Sequence, residues 1–229
     1  MAKVLFSGIA GVDLRNKLNG SVFSKNRYGA YVRTKVTPVN PQSTAQQLVR
    51  NRLSTQSQAW RGLTEPERQS WIDGAVNFPF TDIYGNTKIL SGQALYVKLN
   101  TNLAQAGIAA NSVCPSPVSL DALVLTSLTA DAGGPTLELT TLSGMIQANQ
   151  TLVVQSSGNV TPGKMFVKNL FRFIGIYTAA TPFPIDLYAD NLAVHGVLVT
   201  DNKIFIRAFF VSNDTGQVGI PVQIMAIIT

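Results

Sequence analysis

The chain has 229 residues, 45% hydrophobic and only 13% charged, with a formal net charge of +6. Globular chains carry about 25% charged residues on average, so this surface has little charge to oppose association, and coverage by further copies or by partners is expected. A single cysteine, Cys114, excludes an intrachain disulfide and fits a reducing cytosol. No apolar run reaches the ~18–20 residues that would span a bilayer, so no membrane partner is expected.

Residues 1–36 read as strands and turns. The opening MAKVLFSGIAG is interrupted at Ser7 and followed by Asp13 and Arg15, which marks a strand rather than a secretory leader. Asn19-Gly20 signals a two-residue hairpin, with Lys17-Leu18 and Ser21-Val22-Phe23 as strand ends. A second reversal is expected around Asn26 to Gly29. From Ala30 the chain alternates, with Tyr31, Arg33 and Lys35 on one face and Ala30, Val32, Thr34 and Val36 on the other. Lys3, Arg15, Lys17, Lys25 and Arg27 add to this basic region.

Two helices with a tight corner between them follow, forming an expected hairpin. Pro38 and Pro41 keep the chain extended, and Ser43 or Thr44 then caps a helix with Gln46 or Gln47 completing a capping box. Ala45, Leu48, Val49, Leu53 and Trp60 recur near the helical period, while Arg50, Arg52 and Arg61 fall mostly on other faces. Gly62 breaks the helix. Thr64 restarts it with Glu67 three positions on and Pro66 in the first turn. Trp71, Ile72 and Ala75 would supply the buried side, and Trp60 and Trp71 are expected to pack in the core and hold the two helices together. After turns at Pro79 and Tyr84-Gly85-Asn86, Ser91 caps a third helix from Gly92 to about Ala106. Leu95, Leu99 and Leu103 share one face of it and Gly107 stops it. That helix is expected to pack across the tryptophan pair.

The small, Pro-containing stretch 108–119 has linker composition, and the domain boundary is expected there, between a basic β-hairpin and three-helix domain over 1–107 and a β domain over 120–229. The alternation from Leu120 to Leu128 opens the second domain. Strands are expected near Thr136–Thr141, Thr151–Ser156, Met165–Tyr177, Ala193–Thr200, Lys203–Val211 and Gln217–Ile228, separated by Gly, Pro, Asn and Asp turn signals. Pro221 within the last of them points to an edge or a bulge. About seven strands in about 110 residues predict an immunoglobulin- or fibronectin-like sandwich. The fold class expected overall is α+β.

Catalytic signatures are missing. The single histidine, His195, falls in an expected strand with no nucleophile motif around any serine. Acidic residues are scattered, without metal-ligand spacing, and no glycine-rich run matches a phosphate loop. A non-enzymatic protein without cofactor, metal or small-molecule substrate is expected. Residues 1–100 hold 13 Lys and Arg against 5 acids, and residues 101–229 hold 5 against 7. The basic half is therefore the candidate contact surface, for a protein interface or for nucleic acid. Its candidate residues are Arg15, Lys17, Lys25, Arg27, Tyr28, Tyr31, Arg33, Lys35, Arg50 and Arg52.

Two resemblances sharpen these expectations. The run from Gly20 to Arg33 (GSVFSKNRYGAYVR), then Pro38 to Gln46, Trp60, Leu63, Trp71, and Asp82 to Gln93 (DIYGNTKILSGQ) resembles uncharacterised virion structural proteins of tailed bacteriophages and prophages, over about residues 15–107. The likeness implies a structural component of a phage particle at the neck, tail or capsid surface, made in the host bacterial cytoplasm and resident in the virion. It would dock through its basic half on other virion proteins and form a repeated assembly with its own copies, its β domain projecting or contacting neighbours. More locally, Trp60 to Ala75 resembles the third-helix entry of HMG-box proteins. That likeness implies an alternative, nucleic-acid binding through the basic β segment and an HMG-like helical hairpin.

Overall fold

Four short antiparallel strands build the N-terminal sheet: β1 (Ala2–Lys3), β2 (Asn16–Leu18), β3 (Ser21–Asn26) and β4 (Gly29–Thr34), in the order β1-β4-β3-β2. The computed structural model describes residues 2–3, 16–26, 29–37, 39–81, 85–141 and 145–229, with the backbone alone at 2, 3, 25, 26 and 29. Asn19, at φ 47°, and Gly20 make the expected two-residue turn between β2 and β3, closed by the Leu18–Ser21 pair. The second reversal joins the Asn26–Gly29 pair. The protein is of the α+β class and divides into two compact units, residues 1–47 and 48–229.

Helix α1 (Thr44–Gly62) starts where its cap predicts: the Gln46 N–H donates to Ser43 Oγ at 3.4 Å and the Gln47 N–H to Ser43 O at 2.9 Å. Its last carbonyls are held by Arg68, whose guanidinium donates to Arg61 O at 2.7 Å and Trp60 O at 3.4 Å. Helix α2 (Glu65–Gly74) opens on a capping contact in which the Thr64 N–H and hydroxyl both donate to Glu67 Oε2, at 2.7 and 2.8 Å. These bonds hold the Glu67 carboxyl below its ordinary pKa. A 3-10 turn (Ala75–Asn77) and the two-residue strands β5 (Phe80–Thr81) and β6 (Thr87–Lys88) lead to α3 (Gly92–Gln105). Ser91 caps α3 through the Ala94 N–H, and Gly107, at φ +75°, ends it.

The helical core differs from a simple hairpin. Its main pairing is between α2 and α3, which touch so closely that a Cβ on Gly92 would lie 2.8 Å from the Ile72 nitrogen. Trp71, Ala75, Leu95, Tyr96 and Leu99 are buried together. Tyr96 stands between the tryptophans, its ring 5.2 Å from Trp71 edge-on and 5.4 Å from Trp60. Trp60 is only half-buried. One expectation is corrected here. Ile72 is 49% exposed, although part of it lies against Gly92 at the start of α3. Leu48, Val49 and Leu53 are 45%, 60% and 53% exposed, and Ala45 is exposed too. The apolar stripe of α1 therefore reaches a core only at its Trp60 end.

The stretch 108–119 lies inside the second unit. Asn111 exchanges two hydrogen bonds with Asn100, the Trp71 indole donates to Ser112 O at 2.8 Å, and the Cys114 N–H donates to Ser70 Oγ at 3.1 Å. In the other direction Asn111 donates to Asp214 O at 2.6 Å, and the Val118 N–H to Gln217 Oε1 at 2.7 Å. A further bond, Asn102 to Gly216 O at 2.9 Å, ties α3 to the same turn.

The β region continues with β7 (Leu125–Asp131), β8 (Thr136–Thr141), β9 (Gln150–Ser156), β10 (Arg172–Tyr177), β11 (Ile185–Asp186), helix α4 (Tyr188–His195), β12 (Lys203–Ser212) and β13 (Val222–Ile227). A four-stranded antiparallel sheet has the order β10-β9-β12-β13, and a three-stranded one β11-β8-β7. Leu137 and Leu139 of the smaller sheet share one core with Leu152, Val154, Ile204, Ile206 and Ala208 of the larger. The other face of the larger sheet is covered as well, by Ala106 and Ile108 over Val153 and Val211, and by Val160 and Val167 over Phe205. Burial on both faces explains why β9 and β12 read as nearly continuous apolar runs.

Two expected strands are corrected. Residues 193–195 form the last turn of α4 and 196–200 are irregular, so Ala193–Thr200 is not a strand. The Tyr177 hydroxyl donates a short hydrogen bond to Asp190, and buried Asn191 accepts from Ser156 Oγ at 2.7 Å. These two contacts fix the helix against β10 and β9, and Gly196, at φ 83°, ends it. Burial and the neighbouring Asp190 push the Tyr177 pKa strongly upward, so the phenol keeps its proton as donor. Of Met165–Tyr177 only Arg172–Tyr177 is strand, with Met165 and Phe166 exposed before it. Pro221 stands immediately before β13, the edge of the larger sheet, where its missing N–H breaks no ladder.

Candidate interaction surface

The net charge of this protein sits in its first 47 residues. Residues 1–47 contain seven of the 18 Lys and Arg and one of the 12 acids, so the rest of the chain balances at eleven of each. The register decides which side chains share a face. Lys17 pairs with Val22 and Val22 with Arg33, giving a row across three strands. Ser24 pairs with Tyr31, and Lys3 with Tyr31 on the other side. Since residues directly opposite one another in antiparallel strands point the same way, Lys17, Val22, Ser24, Tyr31 and Arg33 line one face. Lys35 continues it two residues beyond Arg33, its N–H donating to Gly20 O at 2.7 Å. Lys17, Arg33 and Lys35 are exposed, and Tyr31 is half-buried. With Val22, Val36 and Thr37 the three cations surround a concavity of about 460 Å³.

The other candidates fall elsewhere. Lys25 pairs with Ala30, out of the Lys17–Arg33 row. Arg15, Arg27 and Tyr28 lie outside the described residues, as does Asp13, the one acid of this segment. Arg50 and Arg52 belong to α1, where two residues of separation place them on opposite sides of the helix. Partial burial lowers the Arg52 pKa from its ordinary value. The structure thus brings together Lys17, Tyr31, Arg33 and Lys35, and separates Arg50 from Arg52.

A second surface went unrecognised in the sequence. Along α1, Leu48, Val49 and Leu53 form an exposed stripe with half-buried Arg52, and buried Gln56 continues it with its Oε1 unpartnered. Leu48, Val49 and Leu53 each keep about half or more of their surface exposed. The signal was its period, which announces an apolar face without naming what lies against it.

Reactive groups are otherwise occupied. Cys114 packs against Gly74, and burial raises its thiol pKa. Among the described residues no three His, Cys, Asp or Glu side chains cluster as metal ligands would, and no helix is long and apolar enough to cross a membrane. His195 points Nε2 at Ser156 O, 3.0 Å away, while the Ser156 hydroxyl donates to Asn191. Burial lowers the imidazole pKa, the Ser156 carbonyl partly opposes this, and Arg172 adds to the lowering. The folded protein therefore holds His195 neutral. As pH falls below about 6.5 the unfolded chain takes up the proton first, and stability declines from there downward. As the chain's single histidine, His195 can be followed directly by NMR. Its titration midpoint is expected below that of an unfolded peptide, and the His195→Gln variant is expected to melt with less pH dependence between about pH 7 and 5.5. A midpoint at or above the peptide value would contradict this assignment.

No family model matches the chain, nor does any curated protein or solved structure.

Proposed function

We propose that this protein is a non-enzymatic structural component of a bacteriophage particle, sited at the neck, tail or capsid surface. It docks through its basic N-terminal sheet and forms a repeated assembly with its own copies and other virion proteins. The observation that carries this reading is the open apolar stripe of α1. A helix whose first turns present Leu48, Val49 and Leu53 to water gains little from its own chain, since helices draw most of their stability from packing an amphipathic face. Sparse charge across the chain acts in the same direction. In this reading the two-sheet β region serves as the immunoglobulin- or fibronectin-like module that contacts neighbours. The residence implied is the virion, after synthesis in the host cytoplasm.

Purified particles are expected to contain the protein at fixed stoichiometry, and the isolated full-length protein is expected to self-associate as its concentration rises. Replacing Leu48, Val49 and Leu53 together by serine removes apolar area that is already exposed in the single chain. The melting temperature of that chain should barely change, while light scattering reports a monomer and the variant drops out of particles. A wild-type protein that stays monomeric at high concentration and is absent from particles would overturn the reading.

A further inference from the structure

We infer that the basic face of the N-terminal sheet grips the phosphate backbone of nucleic acid. The inference rests on the particle reading in one respect: it names what the docking sheet holds. Lys17 and Arg33 flank Val22 in one cross-strand row, and Lys35 extends the row along β4. All three are exposed around the concavity of about 460 Å³, with Tyr31 beside them. None of them forms an ion pair among the described residues.

An acidic protein patch is the competing partner, and the composition of the face argues against it. Protein interfaces exclude charge from their centres and are poor in Lys. Here the centre is two Lys and one Arg, separated by Val22 and bordered by Tyr31. Phosphate asks for what this face has: donors on flexible arms, no compensating acid among the described residues, and no demand for close shape complementarity. Arg33 can fork two phosphate oxygens while Lys17 and Lys35 act as point charges on either side. Tyr31 offers a ring edge or face to an unpaired base.

The test titrates full-length protein into a fluorescein-labelled single strand of about 20 nucleotides and into the matching duplex, from about 50 to 200 mM salt. Binding is expected in at least one arm, and the better arm identifies the form recognised. Three phosphate contacts predict a slope of log K against log salt of about −2 to −3. The variant Lys17→Gln/Arg33→Gln/Lys35→Gln should lose at least about tenfold in affinity, and each single substitution should reduce the slope by about 1. Arg33→Lys should keep most of the binding, which separates charge from a structural role. Lys164→Gln/Lys168→Gln, on the β region, should change nothing. Absence of salt-dependent binding in both arms, or binding indifferent to the triple variant, overturns the inference. If wild type binds no nucleic acid yet enters particles and the folded triple variant does not, the sheet grips protein, so the inference falls and the particle reading stands. If wild type binds nucleic acid and is absent from particles, the particle reading falls instead.

Discussion

Replacing Trp71 by alanine is expected to cost about 3–5 kcal/mol. The side chain is 0% exposed, lies edge-on to Tyr96 at 5.2 Å, and donates its indole N–H to Ser112 O at 2.8 Å. Truncation therefore opens a cavity between α2 and α3 and strands a carbonyl 41 residues away in sequence. In a chain of this length the loss corresponds to a fall in melting temperature of roughly 6–20 °C. Trp71→Phe keeps most of the packing and loses the donor, so it should cost about 1–3 kcal/mol. Trp60→Ala should cost less than Trp71→Ala, since Trp60 is half-buried and touches Tyr96 from the outer side. Thermal melts of the three variants check this, together with the emission of the two single-tryptophan proteins, in which Trp71 should be the bluer. Equal losses for the two alanine variants, or an unchanged melt for Trp71→Ala, would refute the packing assignment.

The second large effect is expected at Gly216. Its φ is +74°, and a Cβ built there would lie 2.3 Å from the Leu99 carbonyl oxygen. Alanine must adopt a left-handed conformation, which costs about 1–2 kcal/mol, and it must also push the turn off the backbone of α3. That movement breaks the bonds from Asn102 to Gly216 and from Asn111 to Asp214. A total loss of about 3 kcal/mol or more is expected. Gly163→Ala is the comparison: nothing lies within 4 Å of its Cβ position, so its effect should stay within about 0.5 kcal/mol. Urea titrations of both variants decide the matter, and similar midpoints would show that α3 and the turn do not bear on each other.

What proved legible in the sequence was local chemistry. The Ser43 and Ser91 caps, the Thr64–Glu67 contact, the Asn19-Gly20 turn and the Gly107 stop each depend on residues within a few positions of one another. The alternation from Ala30 likewise put Tyr31, Arg33 and Lys35 on one face, as the register does. What escaped depends on distant partners. The segment 188–195 is short and mixed, and its helix is held by Tyr177 and Ser156, neither of which is near in sequence. The α1 stripe has the same period whether it faces a core or water, so the period of Leu48, Val49 and Leu53 carries no sign of their exposure. The composition of 108–119 resembles a linker because its partners are backbone carbonyls and amide side chains, which leave no hydrophobic mark.

The ties between α3 and the turn before β13 also set an order of events. Asn102 waits for Gly216, Asn111 for Asp214 and Val118 for Gln217, spans of 114, 103 and 99 residues. Contacts this far apart in sequence form late, because the intervening loop must first be closed. On the ribosome, α2 and α3 emerge long before their seat exists, while the hairpin of β2 and β3 needs only its own turn. The N-terminal hairpin can thus meet a partner while the helical layer is still unfinished, and strands made about a hundred residues later complete the structure of that layer.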